Sequence, residues 1–129
     1  MSEQTFRTFE EFWPYYVREH SKKETRSLHF LGTSLAAGCL AVAALTRRAN
    51  VALLAPVVGY GLSWIGHYYI EKNRPATFTY PLWSFRGDLR MWRLIAAGTM
   101  DDEVERVTAS NGVHAAPAPK RPAAAHTVN

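Results

Sequence analysis

The sequence contains a single cysteine, Cys39, which lies within an apolar run. An intrachain disulfide is therefore impossible, and we interpret this thiol as a small packing residue. No run of lysine and arginine alternates with stacking aromatic residues, and the net charge of +4 is modest, so we expect no nucleic-acid binding. Residues 1–27 have neither an apolar core nor a cleavage site, and from this we expect no signal peptide.

The length of 129 residues suits one domain, and a hydrophobic content of 47% is enough to bury a core. Residues 109–129 are rich in alanine and proline and carry no periodic apolar pattern. We expect a single helical membrane domain over residues 1–107 and a disordered tail over residues 108–129. His114 and His126 fall in that tail and are excluded from the candidate site.

Two apolar arms dominate the middle of the chain. Residues 28–45 contain no charge, and residues 51–70 are again apolar, with a short polar turn at residues 46–50. Eighteen helical residues rise about 27 Å, close to the roughly 30 Å of a bilayer core. We predict a helical hairpin in the membrane; because Pro56 and several glycines weaken the second arm, a hairpin that does not fully cross the bilayer remains open.

Small residues at four-residue spacing predict how the arms pack. Gly32 and Ala36, and separately Ser34 and Gly38, favour close contact with another helix, as does the row that Gly59 begins in the second arm.

An amphipathic helix precedes the hairpin and an interfacial helix follows it. Thr8 and Glu11 form a capping box, and an aromatic stripe predicts a helix over residues 9–20. Residues 21–27 are interpreted as a polar connection. Tryptophans alternate with arginines over residues 83–98, which is typical of a helix lying in the membrane interface, and residues 101–107 end as a short acidic helix. The fold class is therefore all-α.

Three histidines are predicted to meet at the open end of the hairpin, where the first arm begins and the second arm ends; we call this end the rim. His29 begins the first arm and His67 ends the second, so both lie at the same level, and His20 closes the aromatic stripe one connection away. Glu71 follows His67 by four residues on the same helical face. This arrangement indicates a metal or acid-base site. The alternative is that His67 is simply a helix-end histidine and that Glu71 pairs with Lys72 or Arg74.

Charged residues near the rim suggest an orientation and further site residues. The rim carries more positive residues than the closed end of the hairpin, which has two arginines; those at the rim are Lys22, Lys23, Arg26, Lys72 and Arg74. Because positive residues are enriched on the cytoplasmic side of a membrane protein, we expect the rim and both termini in the cytoplasm. Asp88 is a candidate catalytic residue or metal ligand, or else a partner of a neighbouring arginine. The candidates for binding a substrate carboxylate are Arg74, Arg86 and Arg90; the alternative is a surface that faces solvent or lipid phosphate.

Residues 5–98 resemble the Mpo1-like family of small membrane proteins. The resemblance rests on the order and spacing of several short motifs. They are Tyr15-Tyr16, Glu19-His20, Leu28-His29, Gly32-Thr33, Gly66-His67, Glu71-Lys72, Arg74-Pro75-Ala76, Pro81-Leu82-Trp83-Ser84, Asp88 and Met91-Trp92.

The resemblance implies an enzyme of fatty acid α-oxidation. The founding fungal member is an iron(II)-dependent dioxygenase of the endoplasmic reticulum that converts 2-hydroxy fatty acids into acids one carbon shorter. It implies Fe(2+) held by His20, His29 and His67, with Glu71 as a fourth ligand or a partner of a ligand. Its expected partners are membrane lipid and a long-chain 2-hydroxy fatty acid. The short format and the lack of a retention signal suggest a bacterial member of the family, for which we expect the inner membrane and for which the substrate can differ.

Two other functions remain open from the sequence. A structural or partner-binding membrane hairpin needs no metal, because helix-end histidines and small-residue faces also occur without one. A haem-binding electron carrier is the third reading, although the histidines are not paired across two long helices. A homo-oligomer is compatible with the sequence.

Overall fold

The computed structural model describes residues 5–115, which are helical with short connections and contain no strand. Helix α1 spans Phe9–Glu19. It begins as predicted, because the Thr8 hydroxyl accepts a hydrogen bond from the backbone of Glu11 and the Glu11 carboxylate accepts one from the backbone of Arg7. The aromatic stripe is buried, and His20 stands directly after the last helical residue.

Two helices from the end of the chain cover α1. They are α5, Pro81–Ala96, and α6, Met100–Ala115. Gly87 of α5 lies so close to α1 that an added Cβ would stand 2.9 Å from the ring of Tyr16. We call the unit formed by α1, α5 and α6 the head. Its buried core consists of Phe9, Phe12, Trp13, Tyr16, Val17, Ala76, Met91, Met100 and Val107. The predicted tail boundary at residue 108 falls inside α6, which continues to Ala115; residues 116–129, including His126, lie outside the described residues.

The predicted hairpin is present, with different boundaries. Helix α2 spans Lys23–Thr46, and the second arm consists of α3, Ala49–Ala52, and α4, Leu54–Ile65. The prediction of a polar connection over residues 21–27 was wrong from Lys23 onward, because these polar residues form the beginning of α2. The arms touch closely: a Cβ on Gly32 would lie 3.0 Å from the carbonyl oxygen of Gly59.

Both arms are long and apolar enough to cross a membrane, as Lys23–Thr46 and Ala49–Glu71. A core helix of a soluble protein would be mostly buried, whereas only 11% and 17% of the apolar windows of these arms are buried. Large side chains such as Leu45, Leu53 and Val57 are exposed along them. This exposure is compatible with a membrane protein.

The second arm ends in a different helical form. Residues Gly66–Glu71 make a π-helix, which ends at Lys72 in the left-handed conformation with φ of 60°. Gly66 lies against Thr25, so that a Cβ would stand 3.0 Å from its methyl group. A short 3-10 helix, Ala76–Phe78, then leads into α5. π-Helices are rare, and those that do occur are often found at functional sites. This π-helix carries His67.

Candidate metal centre

Three histidines from three elements converge, as the sequence predicted. His20 follows α1, His29 belongs to α2, and His67 lies in the π-helix. Their ring centroids are 4.4, 4.6 and 5.0 Å apart, and each of the three residues is at least 97% buried. One ring nitrogen from each lies within 4.8 Å of the others. Within the described residues this is the group of potential ligands that is arranged to hold a metal ion.

The outer nitrogen of each histidine is held by a carbonyl oxygen. Nδ1 of His20 lies 2.7 Å from the backbone oxygen of Tyr16, and Nδ1 of His29 lies 3.1 Å from that of Thr25. Nδ1 of His67 lies 2.7 Å from Oδ1 of Asn73. A carbonyl oxygen only accepts hydrogen bonds, so each Nδ1 carries the hydrogen and donates it. The lone pair of each neutral imidazole is then on Nε2, which leaves this nitrogen free to ligate a metal.

The inner nitrogens fit a metal ion. Nε2 of His20 and Nε2 of His29 are 3.0 Å apart, and with both hydrogens on Nδ1 neither nitrogen has a proton to share. Two lone pairs at this distance repel unless a cation lies between them. Metal–imidazole bonds of about 2.1 Å at a right angle place two nitrogens about 3 Å apart. Burial, aided by the two neighbouring imidazoles, lowers the pKa of His20 well below its usual value and keeps the ring neutral.

Asp88 and Tyr16 form a second pair beside the histidines. The Tyr16 hydroxyl donates a hydrogen bond to Oδ1 of Asp88, and the Tyr16 ring stacks on His20 with centroids 4.1 Å apart. The same Asp88 oxygen is 4.0 Å from Nε2 of His29. Burial raises the pKa of Asp88 to about 7, although the hydrogen bond from Tyr16 opposes the rise. Burial, with Asp88 next in importance, also raises the pKa of Tyr16, so the phenol keeps its proton.

Glu71 lies at the rim but outside the histidine cluster. Its carboxylate accepts hydrogen bonds from the Ser21 hydroxyl, at 3.0 Å, and from the backbone N–H of Lys22, at 2.5 Å. Lys22 is the residue that caps α2, so the carboxylate stabilises the positive end of that helix. Glu71 thus connects the π-helix to the segment between His20 and α2.

The three candidate arginines are not brought to the cluster. Arg74 lies over the ring of Phe78, at 5.1 Å. Arg86 lies over Phe9 at 4.2 Å, and Arg90 lies over Trp13 at 4.4 Å while also pairing with Glu10. None of the three lines the cavity at the histidines, and Asp88 pairs with Tyr16 instead of with a neighbouring arginine.

Sequence reasoning missed Asn73 and the role of Arg26. The Asn73 amide donates to the backbone oxygen of Glu19, at 3.0 Å, and to its carboxylate, at 2.8 Å, so it joins His67 to the end of α1. The buried guanidinium of Arg26 donates to the backbone oxygens of His20 and Ser21 and also pairs with Asp101. Pro75 signalled that the helix ends, but no pattern signalled that the chain then folds Asn73 back onto His67.

A small cavity of about 10 Å³ lies against the histidines, the size that a single water molecule or small ion needs. Ser84 and Asp88 line it from α5, and Ser63 lines it from α4. The Ser84 hydroxyl is buried and has no hydrogen-bond partner in the described structure. A buried hydroxyl without a partner is costly, so this group is suited to bind a polar atom of a ligand.

The comparisons with known proteins agree with the geometry. Residues 6–100 match the sequence profile of a family described as 2-hydroxy-palmitic acid dioxygenase Mpo1-like. No curated protein and no solved structure matches the chain. The match spans all three histidines, together with Asn73, Ser84 and Asp88. Since it covers more than half of the sequence, the chain belongs to the Mpo1-like family.

Proposed function

We propose that the protein is a membrane-bound iron(II)-dependent dioxygenase that shortens long-chain 2-hydroxy fatty acids by one carbon. The observation that carries the proposal is the convergence of three neutral imidazoles with their Nε2 lone pairs inward. The family description supplies the reaction class and the kind of substrate. The overall change balances with one O2, since a 2-hydroxy acid and O2 give the shorter acid, CO2 and water.

The residues that would hold iron are His20, His29 and His67. Imidazole ligands suit iron(II), and three of them leave coordination positions for other ligands. When bound, the metal supplies Lewis-acid and redox chemistry for O2 and for the substrate head group. Protein residues complete the site: the carbonyl oxygens fix the three rings, and the buried walls exclude bulk water.

Asp88 and Ser84 would bind the polar head of the substrate. Both line the cavity from one face of α5, four residues apart. The Asp88 carboxylate can accept a hydrogen bond from the 2-hydroxyl group and later its proton, while Tyr16 holds the carboxylate in place. The Ser84 hydroxyl can donate to a carboxylate oxygen. In this proposal the head group is bound by α5, and the arginines named from the sequence do not contact it.

The same proposal places the hairpin in a membrane. The exposed apolar side chains of α2 and α4 would face lipid, and both termini would lie on the side of the histidine rim. The cations at the rim favour the cytoplasmic side of a bacterial inner membrane. A fatty acid can then reach the metal without leaving the bilayer.

The close spacing of the histidines argues against a haem carrier. Nitrogens 3.0 Å apart leave no space for a macrocycle between them. A purely structural hairpin would explain the apolar arms, but it would leave the inward lone pairs and the unpartnered Ser84 without a role. The dioxygenase is therefore the function that the site supports best.

The test combines metal analysis with turnover. Protein purified in detergent should retain or take up one iron(II) per chain, show no Soret band, and convert 2-hydroxypalmitate to a fifteen-carbon acid with O2 uptake. Palmitate, which lacks the hydroxyl group, should be unchanged. Replacing His20, His29 or His67 by alanine should remove both iron and turnover, whereas His126→Ala should change neither. Wild-type iron content in the three site variants would refute the proposal.

A further inference from the structure

An apolar groove of about 350 Å³ runs between α2, α4 and α5. Much of its wall consists of Thr33, Ala36 and Leu40 on α2, Ala55 and Gly59 on α4, and Leu89 on α5. Two of the lining residues on the facing arms are small: Gly59 has no side chain, and Ala36 has only a methyl group, which would lie 3.6 Å from a Cβ at position 59. A bulkier residue at either position would fill it.

The groove begins at the histidine centre. Three of its lining residues, Tyr60, Ser63 and Asp88, also line the small cavity beside the histidines. These residues carry the polar groups nearest the metal site, while the remaining wall is chiefly apolar. A ligand in the groove would therefore have one polar end, at the histidines, and an apolar body.

The groove follows the hairpin away from the rim. Thr33, Ala36 and Leu40 lie four, seven and eleven residues beyond His29 on α2. At about 1.5 Å per residue these positions are roughly 6, 10 and 16 Å along the helix axis from the histidine. The side chains of Leu40 and Leu89 are partly exposed, so the groove opens sideways onto the apolar surface of the hairpin.

The lining of the groove limits what can occupy it. The chiefly apolar wall does not suit a peptide or a nucleotide, whose polar groups would lose water without finding partners. A single unbranched alkyl chain does not have this difficulty.

We propose that this groove binds the alkyl chain of the fatty acid whose head group lies at the histidine centre, and that its residues set the chain length accepted. The identity of the head group rests on the proposed function, but the position of the chain rests on the groove. The substrate enters sideways from the lipid, and its terminal carbons lie near Leu40 and Ala52 at the far end.

Photolabelling gives the first test, independent of turnover. A sixteen-carbon 2-hydroxy acid with a diazirine at its last carbon is added without O2 to the iron-loaded protein in detergent. Mass spectrometry should find the label at the far end of the groove, on Leu40 or Ala52. A label on lipid-facing residues such as Leu35 or Val57 would overturn the inference.

Two variants with a matched control give the second test. Ala36→Leu obstructs the groove two turns from His29, whereas Ala37→Leu makes the same change on an exposed position that does not line it. Each CH2 group lost from the groove should weaken binding roughly fourfold. We expect Ala36→Leu to raise KM for a sixteen-carbon acid at least tenfold while a six-carbon acid is unaffected. Position 40 lies away from the closest contacts between the two arms. Leu40→Trp should therefore raise KM only for the acids with the longest alkyl chains.

The outcomes separate this inference from the proposed function. If Ala36→Leu and Ala37→Leu show equal KM values for every chain length and normal turnover, the inference about the groove is rejected and the proposed function stands. Labelling inside the groove by a protein that turns over no 2-hydroxy acid would reject the proposed function and leave the groove as a binding site for single-chain amphiphiles.

Discussion

Replacing Asn73 by alanine tests how the metal centre is oriented. Two of the three Nδ1 acceptors are backbone carbonyl oxygens of Tyr16 and Thr25, which a substitution cannot remove. The third is the side-chain oxygen of Asn73, 2.7 Å from Nδ1 of His67. Asn73→Ala therefore removes one outer hydrogen bond and leaves all three ligands in place.

The expected loss follows from the role of that hydrogen bond. Without an acceptor, His67 can adopt the other tautomer or rotate, and part of the population then points an N–H at the metal. Removing an outer partner of a metal-ligating histidine typically lowers metal affinity by about 10 to 100-fold. This corresponds to about 1.4 to 2.7 kcal/mol of binding free energy. The variant also loses the two hydrogen bonds from Asn73 to Glu19, so the metal-free protein should be less stable as well.

Competition with a coloured chelator measures metal affinity directly. Asn73→Asp keeps an acceptor for His67 and should bind metal within a few fold of the wild type, even though a second carboxylate beside Glu19 destabilises the fold. Asn50→Ala makes the same chemical change at an exposed position in α3 and serves as the control. If Asn73→Ala binds iron(II) as tightly as Asn50→Ala, the orientation argument is wrong.

Three further changes probe other contacts. Ser84→Ala should raise KM for 2-hydroxypalmitate without lowering the thermal midpoint, since its buried hydroxyl has no partner to lose; an unchanged KM would contradict the assigned contact. Gly87→Ala should destabilise the fold by about 1 to 3 kcal/mol because its Cβ would meet the Tyr16 ring, whereas Gly61→Ala, with open space around it, should be neutral or stabilising in thermal unfolding. The hydrogen bonds from Arg106, and to a smaller extent that from Trp13, lower the pKa of Glu103 from 4.5 to about 2. The ionised Glu103 carboxylate should thus stabilise the fold at neutral pH, and this contribution should be lost as the pH falls from about 4.5 to 2. The difference in unfolding free energy between wild type and Glu103→Gln should shrink over that range; a difference that does not change with pH would refute the argument.

The predictions that were confirmed rest on the local spacing of apolar and aromatic residues. The aromatic stripe gave α1 and placed His20 at its end, and the two apolar arms placed His29 and His67 at one level. These inferences need only the 3.6-residue repeat and the fact that a hairpin returns to its starting level. The same reasoning supplied the fold class.

Contacts between distant segments could not be predicted in this way. Lys22, the N-cap residue of α2, donates its backbone N–H to the carboxylate of Glu71, 49 residues away along the chain. Arg86 and Arg90 look like surface or substrate-binding residues in the sequence, but α5 packs on α1 and places them over aromatic rings. Such placements depend on how helices dock, which no single segment encodes.

The division of the ligands between two parts of the molecule has a consequence for biogenesis. His29 and His67 belong to the hairpin, whereas His20 follows α1 and is held against the hairpin by Arg26 of α2, which donates to its backbone oxygen. A hairpin inserted in a bilayer therefore carries an incomplete site until α1 docks. Metal can be held by three ligands only in the docked form, so iron supply would favour completed over half-assembled chains. At a free metal concentration 100 times the dissociation constant this preference is worth about 2.7 kcal/mol. If the site holds iron as proposed, iron-starved cells should accordingly accumulate chains whose N-terminal helix is open to proteases.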